Sequence, residues 1–222
     1  MTELLTKNLF KNPEASVVFE EILAYEYPWE ALPHIKEIVE GLISRLNPED
    51  YYSPTEGVYI AKGVELPPTA TVLPPTVIMS GAEIRPSAYI RGSVIVGRGA
   101  VVGNSTEIKN SILFDGAQAP HFNYIGDSIL GYKSHMGAGA VTSNLKSDKT
   151  SVTVKLGEEK IETGLRKFGA ILGDLVEVGC GAVLNPGTVI GRLTSVYPLS
   201  SVRGFVPEDS ILKSGGIVVK RR

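Results

Sequence analysis

The chain has 222 residues, with 22 basic and 24 acidic side chains and a net charge of −2, a balance that gives no electrostatic reason to bind nucleic acid or an anionic membrane. Its length suffices for one sizeable core, or a core with a small appendage. The single cysteine, Cys180, excludes an internal disulfide and fits a reducing cytoplasm.

The opening stretch "MTELLTKNLFKNPEAS" lacks a basic region followed by an apolar run, so no signal peptide is expected, and no apolar run is long enough to span a bilayer. Residues 1–56 read as a helical segment and linker. Asn12-Pro13 is a helix start, with asparagine as cap and proline in the first turn. "EASVVFEEILAYEY" continues as a short amphipathic helix. "HIKEIVEGLISRL" carries Ile35, Ile38, Val39, Leu42 and Leu46 at helical spacing, and Asn47-Pro48 stops it. Trp29 and His34 are expected to pack, at an end of the next domain or against a neighbouring copy.

From residue 57 the chain counts in sixes. Aliphatic residues recur at Ile60, Leu66, Val72, Ile78, Ile84, Ile90, Val96, Val102 and Ile108, then Phe114 and Pro120. Smaller or β-branched residues follow each by four positions, from Val64 and Ala70 through Thr106 and Ile112. The count resumes at Leu172, Val178, Leu184, Ile190, Val196 and Val202. An even period keeps such positions on one face of a strand, and stacking the short strands buries an apolar column. A β-sandwich fits less well, since its strands vary in length and its turns do not recur every six residues. The β domain is assigned to 57–206 and a solvated basic tail to 207–222. Within 145–168, "SVTVKLGEEKIETG" reads as a hairpin projecting from a corner.

The count fails around "APHFNYIGDSILGYKSHMGAGAVTSN" (119–144), where the aliphatic steps shorten to Ile125, Leu130 and Met136 and two of the three histidines lie. His121 follows an inward position, so it belongs at a corner and faces outward. Arg91 and Lys109 are one coil apart and should stack about 4.8 Å from each other, where two cations repel unless an anion bridges them or water solvates them.

The hexapeptides resemble the left-handed parallel β-helix of hexapeptide-repeat acyltransferases. The stretch from Glu107 to Asn144 resembles more closely the acetyltransferase half of the bacterial bifunctional enzyme of UDP-N-acetylglucosamine synthesis. It is closer still to the acetyltransferase tails of archaeal sugar-phosphate nucleotidylyltransferases, which share a "TGLRKFGAILGD" segment and a Tyr-Pro pair. The resemblance implies transfer of acetyl from acetyl-CoA to the amine of an amino-sugar phosphate, with glucosamine 1-phosphate as first expectation. It implies a cytoplasmic homotrimer with shared sites and no metal. His121 would be the general base. Tyr124 would hold the sugar, and Asn144 would orient the acceptor or the reacting carbonyl. Arg91 and Lys109 would bind the phosphate, with Glu107 near the acceptor. Ala138 in the Gly-Ala-Gly turn would stabilise the oxyanion, and Ala138, Cys180 and Pro198 would line the acetyl-CoA channel. Lys146 and Lys149 could add to the anion site.

Departures are visible. His135 stands where the bacterial enzyme has a sugar-binding asparagine, Cys180 where it has a small residue, usually serine, and Leu199 where relatives have glycine. No nucleotidyl-transferring half is expected within residues 1–56, and "GRGAVVG" (97–103) reads as coil turns. Two other readings remain: a non-catalytic trimeric scaffold or regulatory subunit, and a γ-type carbonic anhydrase, which needs three zinc histidines where the β domain offers His121 and His135.

Overall fold

The computed structural model describes residues 2–221. From Val58 onward, short parallel strands stack into a β-helix of about nine turns with three flanks. One flank runs through Tyr89–Ile90, the first half of Glu107–Leu113, the first half of Tyr124–Leu130, and Val141–Thr142. A second runs through Thr76–Ile78, Val94–Val96, the later halves of those two long strands, Ala170–Leu172 and Thr188–Ile190. The third contains Val101–Asn104, Gln118–His121, His135–Met136 and Glu177–Val178. The interior column is aliphatic: Ile78, Ile84, Ile90, Val96, Val102 and Ile108 are all buried in one cluster with Leu172, Val178, Leu184 and Ile190.

Two coils are one residue short. Ile108 is followed inward by Leu113 and Ala119, not by Phe114 and Pro120 as the count in sixes predicts. The deleted residue lies at a corner. Between the paired strands, Arg91, Gly92 and Ser93 turn one coil, whereas Lys109 and Asn110 alone turn the next. Gly126 and Asp127 repeat the tight corner one coil later. Because side chains alternate along a strand, losing one residue exchanges the two faces. Ile112 and Phe114, expected inside, therefore face outward. The corner at His121 keeps its length, so the repeat breaks on either side of that histidine and not at it.

The outward residues of the second flank form an apolar ladder. Tyr59, Val77, Ile95, Ile112, Ile129, Ile171, Val189 and Phe205 are register neighbours. Such a stripe needs a cover, and the N-terminal segment supplies much of it. Leu9, Phe10, Phe19, Trp29, Leu32, Ile35, Val39 and Leu42 are buried in the same cluster as that ladder. Phe114 sits with its ring 4.9 Å from Phe10 and 6.4 Å from Phe19. The segment thus docks along a side of the β-helix rather than at an end. His34 stacks on Tyr25, and Trp29 stacks on Tyr27 and tilts against Phe168.

Local chemistry explains its helices. Asn12 accepts the Glu14 N–H as expected of a cap, but it starts only a short turn, Pro13–Ala15. The expected continuous helix breaks because the Ser16 hydroxyl accepts the Val18 N–H and two β-branched residues follow it. Helix resumes at Phe19–Leu23, and Ile35–Ile43 forms as the periodicity predicts.

The predicted hairpin pairs Thr153–Leu156 with Glu159–Glu162. It does not project. Val152 and Val154 are fully buried in the cluster under the ladder. A Cβ on Gly187 would lie 2.6 Å from the Thr153 carbonyl oxygen, and one on Gly204 2.7 Å from that of Lys155. The β-helix also extends past 206: Ser210–Leu212 adds a parallel strand, and the basic tail folds back as Val218–Lys220, antiparallel to it. No helix among the described residues is long and apolar enough to cross a membrane.

Candidate active site

His121 closes the strand Gln118–His121 at the corner between the third and first flanks. The register of that flank carries forward to a column of His121, Ala138, Cys180 and Pro198. Backbone bonds fasten it: Gly139 N–H donates to the His121 carbonyl (3.0 Å), Gly181 N–H to Ala138 (2.8 Å) and Leu199 N–H to Cys180 (2.9 Å). The expected base and the expected acetyl-CoA contacts therefore share one edge. Ala138 N–H has no hydrogen-bond partner among the described residues. The His121 ring is exposed beside Phe122, and Asn123 ties this corner by accepting the His121 N–H and donating to the carbonyls of Gly137 and Ala140.

Along the first flank, Glu107 and Tyr124 are outward register neighbours, as are Lys109 and Gly126. Arg91 and Lys109 do stack in register, but no bare cation pair results. Arg91 Nη1 lies 2.6 Å from Glu107 Oε1, and Lys109 Nζ lies 3.1 Å from Asp127 Oδ2. Each cation has its own carboxylate.

Asp127 is the hub at the far corner. Its side chain is 7% exposed, its backbone is left-handed (φ 51°), and it receives donors on both oxygens. Asn110 Nδ2 donates to Oδ1 at 2.9 Å; the Asn144 amide donates to Oδ2 beside Lys109. The Tyr124 hydroxyl and the Asn144 amide crowd the same spot over Gly126, 2.6 and 2.9 Å from where a Cβ on that glycine would lie. Burial raises the Tyr124 phenol above its usual range, and the carboxylates of Asp127 and Glu107 raise it further, so the hydroxyl is neutral at neutral pH. The backbone around the hub is pinned by the chain returning from the hairpin: Phe168 N–H donates to Asn144 and Gly169 N–H to Asp127, both at 2.9 Å. A cavity of about 550 Å³ opens over Asn110 and Asp127, walled by Leu32, Pro33, Leu145 and Leu165 and rimmed by Arg166 and Lys167.

His135 is not part of this group. It lies on the third flank, where its Nδ1 is 3.1 Å from Glu177 Oε2. Lys146 turns into its own loop, toward Asp148, Thr150 and the Ser151 carbonyl. Among the described residues, no group of three or more His, Cys, Asp or Glu side chains is placed to hold a metal.

Asp127 and Asn110 are missing from the residues singled out by sequence. Asp127 ends the His-x-x-Tyr-x-Gly-Asp stretch of the sequence, whereas Asn110 follows Lys109 at a corner whose shortening only the strand register reveals.

A parallel β-helix of hexapeptide coils, with an outward histidine corner and a flank carrying tyrosine, asparagine and two carboxylate-paired cations, defines the class of domain, a hexapeptide-repeat β-helix. Residues 72–196 match the family described as the GMPPB C-terminal domain, more than half of the chain, and the protein belongs to that family. It is 35% identical over 113 residues to the bifunctional protein GlmU of Methanococcus aeolicus, covering 50% of this chain and 27% of that one. It is also 35% identical over 88 residues to the bifunctional sugar-1-phosphate nucleotidylyltransferase/acetyltransferase of Sulfurisphaera tokodaii, covering 40% of this chain and 22% of that one. The matched stretches thus span about a quarter of those curated relatives. Among solved structures, the acetyltransferase domain of PglB from Neisseria gonorrhoeae in complex with acetyl coenzyme A aligns at 14% identity and a TM-score of 0.28, covering 85% of this chain and 66% of that one.

Proposed function

We propose that the protein transfers acetyl from acetyl-CoA to the amine of an amino-sugar phosphate, glucosamine 1-phosphate first, in the cytoplasmic synthesis of UDP-N-acetylglucosamine. The observation that carries this reading is the arrangement of one flank. A free imidazole stands at one edge, in a column with Ala138, Cys180 and Pro198. A half-buried group of Tyr124, Asn144 and Lys109 around the buried Asp127 stands at the other. The names of the relatives, sugar-phosphate nucleotidylyl- and acetyltransferases, support it as well.

His121 accepts a proton from the acceptor amine as nitrogen attacks the thioester carbonyl. The carbonyl oxygen becomes an oxyanion within reach of the Ala138 N–H, which has no competing partner to give up. The thiolate of CoA then leaves and takes up a proton as the amide forms. Tyr124 and Asn144 hold the sugar. Arg91 and Lys109 take the phosphate by exchanging their carboxylates for it, with Glu107 released toward the acceptor hydroxyls. Cys180 packs beside the thioester and forms no bond to acetyl, since direct transfer to an amine needs no enzyme nucleophile. A homotrimer completes each site: the first flank and its corner leave Tyr89, Phe122, Val183 and Leu199 exposed, apolar surface that suits a second copy of the chain.

The test is release of free CoA thiol with a panel of acceptors. Glucosamine 1-phosphate, galactosamine 1-phosphate and glucosamine 6-phosphate are compared with the unphosphorylated amino sugars. The reading expects turnover with a phosphorylated acceptor and at least about a tenfold preference over its plain counterpart, since a charge-assisted contact contributes about 1.5–3 kcal/mol. Equal rates remove the phosphate assignment. Acetyl-CoA binding with no reactive acceptor removes the substrate, and binding of neither favours the non-catalytic scaffold.

A further inference from the structure

Asn110 is where the N-terminal segment meets the hub. It occupies the shortened corner in a left-handed conformation (φ 44°). Its amide nitrogen donates twice, to Asp127 Oδ1 at 2.9 Å and to the backbone carbonyl of Leu32 at 3.2 Å. Leu32 is buried and lies inside the 3-10 helix Pro28–His34, with Pro33 directly after it. Both residues also wall the cavity over Asp127. The rest of the segment is anchored independently, through Lys11 N–H on Asp174 at 2.9 Å and Asp115 N–H on the Ala15 carbonyl at 2.8 Å.

We infer that Asn110 is a positioning residue that makes the N-terminal segment a working part of the acceptor site, through the chain Leu32 carbonyl, Asn110, Asp127, Asn144 and Tyr124. This inference rests on the acetyl-transfer reading. An amide with both N–H groups engaged has one orientation. It fixes Oδ1 of Asp127, and the carboxylate plane then fixes where Oδ2 receives Asn144 and Lys109. Asn144 in turn limits where the neighbouring Tyr124 hydroxyl can lie over Gly126. The links from Leu32 to Asn144 are hydrogen-bonded and half-buried around the buried Asp127, and Asn144 abuts the Tyr124 hydroxyl over Gly126, so a shift at Leu32 is passed on to Tyr124. The chain touches nothing in the His121 column, so its effect belongs to the acceptor and not to acetyl-CoA.

The experiment compares wild type with Asn110→Ala and Asn110→Asp in the full chain. Asn110→Ala should lower kcat/KM for the acceptor by about ten- to a hundredfold, the scale of a small misplacement in a site. The KM for acetyl-CoA and the assembly state should not change. Asn110→Asp sets a second carboxylate against Asp127, with Lys109 the adjoining cation and Arg166 and Lys167 across the cavity. One of the two carboxylates then holds a proton more readily, and the introduced carboxyl, when protonated, can donate where asparagine did. The activity of this variant relative to wild type should therefore rise as pH falls. Hydrogen exchange supplies a reading without turnover: amides in 28–34 and at Phe168 and Gly169 should exchange faster in Asn110→Ala, and those in 183–206 should not. Unchanged acceptor kinetics overturn the inference, with or without faster exchange, and so does a flat activity ratio across pH. A wild type that acetylates nothing sinks the acetyl-transfer reading instead, while unchanged exchange in that case shows separately that Asn110 makes no tie.

Discussion

Gly126 is small because two functional atoms lean over it. A Cβ there would lie 2.6 Å from the Tyr124 hydroxyl oxygen and 2.9 Å from Asn144 Nδ2. Both are the ends of side chains, not backbone, so they can swing away at little cost to the fold. Gly126→Ala should therefore leave the melting temperature within a few degrees of wild type and lower acetyl transfer about a hundredfold, through a loss in kcat for the acceptor. Thermal unfolding and steady-state kinetics on one preparation check this, and a fully active variant would contradict the placement of Tyr124 and Asn144. The residue scale also shows what the sequence could convey. His121, Tyr124 and Asn144 sit at recognisable spacings, and the structure puts them on one flank and its two edges. Asp127 was harder to single out, because its role depends on three donors arriving from other coils. The surroundings of His135 are not legible either: nothing in the chain order reveals that it faces Glu177 across a register step.

Elements follow periodicity as long as the period holds. Strands before Asn104 and after Ala170 lie where the sixfold count puts them, with Ile90 and Leu184 inside. The count fails where a corner loses a residue, and a count cannot say which corner. Composition hints at the outcome, since Ile112-Leu113-Phe114 is apolar at three successive positions and so feeds both faces of a strand. Docking of the N-terminal segment is legible only as an amphipathic face without an address. Phe114 supplies that address between Phe10 and Phe19. Phe114→Ala should cost about 3–5 kcal/mol, most of it from the interface between segment and β-helix. Limited proteolysis should then cut within residues 12–34 well before the β-helix is attacked. Uniform cleavage along the chain would show that the two layers unfold as one unit.

The whole molecule combines a rigid prism and a fitted cover. Register repeats at every coil hold the flanks, so an outward histidine is placed by backbone bonds on both sides of its strand rather than by a mobile loop. The cover buries the apolar second flank and reaches Asn110 at Leu32, while the first flank and its His121 corner stay uncovered, with Tyr89, Phe122, Val183 and Leu199 exposed. This division predicts that chemistry can be removed without disturbing architecture. The most direct measurement is thiol release from acetyl-CoA by wild type and His121→Ala with the best phosphorylated acceptor, followed across pH. The account predicts unchanged melting temperature, unchanged acetyl-CoA binding and a loss of transfer of at least about a hundredfold at neutral pH, shrinking at high pH as the acceptor amine loses its own proton. An equally fast His121→Ala enzyme would contradict it.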